Sequence, residues 1–458
     1  SKDKEIFDAL VFDDIVQAVD NGDGTYSTGV NVSELSGKTL GASLIYSARI
    51  RQISVSNILR EVNVKNFKTD FEILEQKQRQ RALVEFYRQA KEVYLSKLTD
   101  KPSEGRVDSK KSNAENPSTK ATNAKVSKQP SLENMPYNSV EVAEYYEDLA
   151  VQGLDLQEQG SDFYSHNDLL RELDDIFVNH KGGDNIFNFV LPYTRYSSVG
   201  LEEGRGTLKS HTNGVIAGIQ SKLPNENGIL GAYFGYESAD KSVGLQRLDF
   251  DDKVYYGGLT YYQVLARKGV SEYYLSANTR LDFTQTDIYK TYKSGNFVIK
   301  SELDSYDYGA DIKLGANYYN IFNNSVISPE IGVSYQGIST ESFSLLHRSG
   351  TKEHYFAQDV NFFDVSVALR WQRAWNNVFK TMASVGGLYN VYNDAKGTAS
   401  VEGTKITEEI DVERLYGTAQ VGISYGLGEN ANISLNYNGI FANGVQSHAG
   451  YIRLGVWW

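Results

Sequence analysis

The chain reads as an all-β transmembrane barrel of about twelve antiparallel strands, preceded by a mixed and helical N-terminal region and a disordered linker. Three observations carry this reading: strands that alternate apolar and polar residues, aromatic residues at the ends of the apolar faces, and connections that are short and long by turns. The last stretch sets the frame. In Gly450 to Trp458 the residues Ile452, Leu454, Val456 and Trp458 share one face of a period-2 strand. An apolar edge strand invites pairing with other chains, and a barrel removes that edge by pairing its last strand with its first. The closing strand of a soluble sheet would look the same, so the strands before it decide.

They repeat the pattern from Asn185 onward in segments of about ten residues, the length a tilted strand needs to cross a bilayer. In Tyr306 to Tyr318, Tyr306, Tyr308, Ala310, Ile312, Leu314, Ala316 and Tyr318 take one face, and Asp307, Gly309, Asp311, Lys313, Gly315 and Asn317 the other. Tyrosine at both ends of the apolar face matches aromatic girdles at two water interfaces. Glu272 to Phe283 and Leu415 to Gly426 alternate in the same way, and further strands fit around Phe187, Val215, Phe234, Tyr261, Ile331, Val367, Val385 and Leu435. The faces of the strand around Tyr261 are not assignable from the sequence. Tight turns such as Arg267 to Ser271 and Trp375 to Asn377 alternate with longer polar stretches, Ser242 to Lys253, Ser342 to Asp359 and Asn393 to Glu413. That asymmetry predicts short turns at the periplasm and long loops outside. The polar faces would line the lumen with Glu272, Arg280, Asp282, Asp311, Lys313, Glu330, Asp364 and Arg370.

Composition fits this class. Tyr 32, Phe 20 and Gly 40 suit strands with interfacial aromatics, and no apolar run approaches the length of a transmembrane helix. Cys 0 removes disulfides, thiolate metal sites and cysteine nucleophiles, and a net charge of -12 argues against nucleic acid as a partner. The opening Ser1-Lys2-Asp3-Lys4 carries no signal peptide, so an exported chain of this kind is expected to be the C-terminal piece of a longer precursor.

Ahead of the barrel the chain changes character several times. Residues 1–100 contain short strands, a stretch from Ala48 to Arg60 with Arg49, Arg51 and Arg60 around Ile50, Ile53 and Leu59, and a long amphipathic pattern from Phe67 to Leu98. Ala48 to Arg60 suits an ordinary surface helix, and the sequence leaves open whether the helix at 48–60 or the one at 167–178 fills the lumen. Residues 101–137 are rich in Ser, Asn, Lys, Thr and Pro and read as a flexible linker. Residues 138–183 carry two short helices, the second from Asn167 to Val178 with Ser165 and Asp168 placed as a capping box. The barrel is expected over 184–458.

A large N-terminal part, a helix, and about twelve strands ending on an aromatic residue resemble the translocator of a type V secretion autotransporter, from about Ser165 to Trp458. The resemblance implies a barrel in the bacterial outer membrane that exports its own N-terminal passenger to the cell surface. It implies a lumenal helix ahead of the first strand, a place that Asn167 to Val178 takes with Leu169, Arg171, Leu173 and Phe177. It also implies a terminal signal, here Tyr451, Val456 and Trp458 with Arg453 where glycine is usual, read by the barrel-assembly machinery. Outer-membrane lipid, periplasmic chaperones and the passenger segment complete the expected partners, and residues 1 to about 135 would be the passenger's end and a linker. No Asn-Asn pair falls in Asn167 to Val178, so cleavage there is not expected.

No chemistry competes with that role. His166, His180, His211, His347, His354 and His448 sit in no catalytic elbow and no HExxH spacing. Asp20 to Thr25 resembles the start of a calcium loop, but the twelfth position is Asn31 where a bidentate Glu is needed, so a hairpin turn is predicted. No cofactor or metal is expected and no enzyme activity. The alternatives are a porin-like channel, which would not need so long an N-terminal region, and a barrel-embedded hydrolase.

Overall fold

A computed structural model describes residues 16–30, 37–64 and 186–458, apart from short interruptions at 203, 225–227, 269–270, 293–296, 320–324, 348–349, 376–377, 402 and 429–430. The segment Asn167 to Val178, the pattern from Phe67 to Leu98 and the linker at 101–137 lie outside the described residues. Val16–Asp20 (β1) and Tyr26–Val30 (β2) form the hairpin expected in place of a calcium loop, with Gly22 and Gly24 at positive φ in its turn. A single long helix, Gly37–Val64 (α1), follows.

The barrel strands are Ile186–Gly200 (β3), Thr207–Lys222 (β4), Gly228–Val243 (β5), Leu248–Lys268 (β6), Ser271–Thr291 (β7), Val298–Tyr319 (β8) and Ser325–Thr340 (β9). After the short strands Phe343–Leu346 (β10) and Lys352–Tyr355 (β11) come Gln358–Ala374 (β12) and Phe379–Asn393 (β13). Lys396–Val401 (β14) and Thr404–Glu409 (β15) then precede Leu415–Gly426 (β16), Ala431–Ala442 (β17) and Val445–Trp457 (β18). The twelve long strands close in chain order, β18 pairing antiparallel with β3. Closure is completed by reciprocal main-chain bonds between Ile186 and Trp458, 3.0 and 2.9 Å.

The outward face follows the alternation. On β12, Phe363, Val365, Val367 and Leu369 are exposed while Asp364 and Arg370 are buried. Tyr236, Tyr255, Phe283 and Tyr306 stand directly opposite one another across β5 to β8, an aromatic row at one water interface. One residue of the terminal signal expected from the sequence departs from that face: Tyr451 is buried in the lumen, whereas Val456 and Trp458 point outward.

At one end the connections β4 to β5, β6 to β7, β8 to β9, β12 to β13 and β16 to β17 span five residues or fewer. The other end carries the two long insertions, but they are not irregular loops. They build a second sheet in the order β10-β11-β14-β15. The third stretch expected as a long loop, Ser242 to Lys253, is strand on both sides of a four-residue turn, 244–247, because β5 and β6 keep pairing as far as Val243 and Leu248. The strand around Tyr261 resisted assignment because β6 is irregular twice. Its register shifts between Val264 and Ala266, and at Gly258 a Cβ would lie 1.7 Å from the Thr279 carbonyl oxygen.

Candidate functional site: a helix held in the lumen

The barrel encloses α1. Its 28 residues span about 42 Å at 1.5 Å per residue, longer than a hydrocarbon core of about 30 Å. Leu40, Ile45, Tyr46, Ile50, Ile53, Val55, Ile58 and Leu59 are all buried, as are Arg49, Arg51 and Arg60. These side chains face different ways around the helix, and a helix buried on every side needs no polar face. The surface helix expected at Ala48 to Arg60 is therefore the inner part of a longer element that meets wall all round.

Along the lumen the contacts change in kind. Near the long insertions, Leu40, Ile45, Ile50 and Ile53 pack with inward residues such as Val199, Val243, Phe250, Ile338 and Phe362. There the first turn of α1 passes under Tyr355, and a Cβ on Gly37 would lie 2.5 Å from that ring. A belt of ion pairs follows. Arg49 grips Asp364 with two bonds of 2.7 Å, its guanidinium 4.4 Å from the Phe362 ring centre. Arg51 donates to Glu237 at 2.7 Å and reaches Asp307 at 2.9 Å and Asp282 at 3.4 Å. Gln52 accepts from Arg280 at 2.6 Å, and Ser56 donates to Asp311 at 2.7 Å. Towards the short-turn end Val55, Ile58 and Leu59 join an apolar cluster with Phe187, Phe189, Leu191, Tyr193 and Tyr274. Arg60 pairs there with Glu330 and donates to Tyr274 at 2.8 Å.

Every lumen residue named from the sequence faces inward. Asp282, Asp311, Glu330 and Asp364 meet α1 directly, as does Arg280. Lys313 lies 3.5 Å from Asp311, and Glu272 accepts from Asn317 at 3.2 Å on the wall itself. Arg370 is also buried. Asp307, placed on the polar face of its strand by the alternation, joins Asp282 and Glu237 around Arg51; Glu237, and Arg195, which donates to both its oxygens at 3.1 Å, are not among the lumen residues expected from the sequence.

The sequence reading put Leu169, Arg171, Leu173 and Phe177 in the lumen. They lie outside the described residues, and the lumenal helix that the structure places is α1. The physical reason is charge. From Gly37 to Arg60 there is no Asp or Glu, against four acids and one arginine in Asn167 to Val178. An acidic wall selects the basic segment, because a carboxylate buried beside carboxylates has no counter-charge to offset its desolvation.

A twelve-stranded lipid-facing barrel with an aromatic row, short turns at one end and a helix inside defines an outer-membrane protein of the transporter class. The autotransporter beta-domain profile matches residues 192–438, more than half of the chain, and the chain belongs to that family. Among solved structures it is similar to the translocator domain of the autotransporter NalP from Neisseria meningitidis. There the TM-score is 0.49 and the identity 14%, over 68% of this chain and 97% of that one. It is also similar to the transport unit of AIDA-I from Escherichia coli (TM-score 0.43, 12% identity, 61% and 92% covered). The beta domain of the Bordetella autotransporter BrkA gives 0.42 and 13%, with 59% and 99% covered. No curated protein sequence matches the chain significantly. The family's barrels serve type V secretion and protein transport.

Proposed function

We propose that the barrel exports the N-terminal part of its own chain to the cell surface, and that α1 then stays behind as the plug. The observation that supports this most directly is the threading of α1. Its first turn lies under Tyr355 at the end with the long insertions, and Arg60 lies at the end with the short turns, where Ile186 begins the barrel. A segment from the N-terminal region thus runs through the pore from the outer mouth inward, as a chain left in place after export would. In this reading the exported part of the chain is the part that precedes Gly37 in sequence.

The other expected partners belong to the same reading. The exposed Val456 and Trp458 are offered to lipid and to the barrel-assembly machinery, and periplasmic chaperones would deliver the unfolded chain. An epitope ahead of Ser1, in a chain fused behind an export signal, should be cleaved by protease added outside intact cells; an epitope that stays protected would sink the export role. In planar bilayers a chain starting at Gly183 should conduct far more than the intact chain. Equal conductance from both would remove the plug.

A further inference from the structure

The external sheet has two edges. At β10, Ser301 of the neighbouring β8 donates to the Ser344 carbonyl at 2.7 Å. β15 pairs with β14 on one side and ends the sheet on the other. Its register fixes which groups it leaves open. The Ile410 N–H donates to the Ala395 carbonyl at 3.0 Å, so by alternation Thr404, Ile406 and Glu408 turn their main-chain groups to β14, and Lys405, Thr407 and Glu409 turn theirs to the open side. The facing strand agrees, since Thr398, opposite Thr407, accepts from the Phe356 N–H at 3.0 Å on its far side. Among the described residues the main-chain groups of Lys405, Thr407 and Glu409 meet no main-chain partner. The three side chains are exposed.

An open edge is a template for another strand. β15 fits a copy of itself. In Lys405-Ile406-Thr407-Glu408-Glu409 a cation and a carboxylate stand equally far from Thr407. Laid antiparallel against a second copy, about a two-fold axis at Thr407, the strand sets Lys405 opposite the second copy's Glu409 and Glu409 opposite its Lys405. Because these are the residues with open main-chain groups, each such pair exchanges both of its bonds, and no open group is left over on either strand. Sliding the register by two residues leaves open groups unpaired, and centring it on Lys405 or Glu409 sets like charges together. Glu409, which faces Lys396 across the β14–β15 ladder, would stand between two cations. Charges on an edge ordinarily keep foreign strands off, and with opposite signs at its two ends this edge still admits its own inverse. We propose that two copies of the chain pair through β15 and join their external sheets into one. The interface is isologous, so it closes as a dimer and does not grow into a filament. It rests on the external sheet alone, so its failure would leave the transport role standing.

The chain has no cysteine, so a single introduced one reports the contact. In outer membranes carrying the full chain expressed behind an export signal, Thr407→Cys treated with a short bismaleimide is expected to give a species of twice the mass. Leu346→Cys, exposed on the β10 strand at the opposite edge, is expected to stay single. Lys405→Glu sets like charges opposite each other at both ends and should weaken pairing about tenfold, the order of two exposed cross-strand ion pairs turned to repulsion. Glu409→Lys should do the same. Both changes in one chain exchange the charges without removing them, so pairing should return to the level of the unsubstituted chain, with heat-modifiable migration showing that every variant still folds as a barrel. No cross-link at Thr407, equal cross-linking at Leu346, or a double variant that pairs no better than the single ones would overturn the dimer. A Thr407 cross-link to a different protein would overturn the second copy as the occupant of this edge.

Discussion

The lipid-facing wall and the lumen of this barrel are built from alternate residues of the same strands, yet they obey different rules. Outside, every position meets the same solvent. Val365, Val367 and Leu369 are interchangeable hydrophobes between Phe363 and Trp371, and no one of them has a specific partner. Inside, each position meets one particular side chain of α1. Asp364 is acidic because Arg49 is opposite, and Phe189 is apolar because it shares a cluster with Val55, Ile58 and Leu59. A uniform environment imposes a pattern, whereas a specific partner imposes complementarity.

The sharpest break of that comparison is at Arg51, whose guanidinium faces Glu237, Asp282 and Asp307 at once. Arg51→Met keeps most of the volume and removes the charge, leaving buried carboxylates short of a counter-ion. Removing one partner of a buried pair costs about 3–5 kcal/mol. We expect α1 to leave the lumen, read as a rise in bilayer conductance and a lower unfolding temperature. The control is Lys300→Met, whose exposed pair with Glu302 at 4.0 Å should contribute under about 0.5 kcal/mol. Equal effects from both would mean that the belt does not hold the helix.

On the wall, Val367→Arg places a charge midway between Phe363 and Trp371. The depth dependence in barrels puts the cost at about 2–4 kcal/mol near the bilayer midplane. Insertion into membranes should fall while conductance per inserted barrel stays unchanged, since Val367 points away from the pore. A conductance change would contradict the separation of the two faces. Leu59→Ala tests the apolar part of the lumen. It removes a fully buried side chain among Phe187, Phe189 and Tyr274 and should cost about 2 kcal/mol, the low end for such truncations. The readout is again helix release, at a lower temperature shift than for Arg51→Met.

Legibility in the sequence followed the same division. Strand number, closure by the last strand and the exposed Val456 and Trp458 were readable, because lipid forces apolar residues to every second position. The inward carboxylates were readable as inward, not as partners of Arg49, Arg51 and Arg60. The apolar column Phe187, Phe189, Leu191 and Tyr193 broke the expectation of a polar lumen, since it faces a helix and not water. The lumenal helix itself was sought in the segment nearest the barrel and with the clearest amphipathic stripe, Asn167 to Val178. A helix enclosed on all sides has no such stripe. What marked Gly37 to Arg60 of α1 was an absence of acids beside three arginines, set against a wall rich in inward acids, and that signal appears only when the two regions are read together.

The smallest effects belong outside the membrane, where neither lipid nor α1 sets the rules, and there two carboxyls should respond to pH with opposite sign. Asp240, Asp251, Asp287 and Glu302 stand opposite one another across β5 to β8, four residues beyond the aromatic row, about 13 Å at the rise of a strand. Partial burial and then the charges of Asp240 and Asp287 raise the Asp251 carboxyl above its usual range. A raised carboxyl stabilises the fold below its unfolded value of about 3.9, and that contribution is lost as pH rises through the folded value. Asp251→Asn should therefore stabilise the barrel by about 0.2–1 kcal/mol at neutral pH, the size of a like-charged cross-strand pair, and by nothing near pH 3. Glu353, in the external sheet, is the reverse case. Burial alone would push it up, but the hydrogen bond with His347 at 2.8 Å, the charge of Lys290 and the bond from Tyr355 hold it below the usual range. Its contribution is present above an unfolded value of about 4.3 and lost as pH falls through the folded value. Glu353→Gln should lower the unfolding temperature at neutral pH, with the gap to the unsubstituted chain closing in acid. Thermal unfolding of both variants at the two pH values decides it: parallel shifts in the same direction would show that these carboxyls do not act through the neighbours named here.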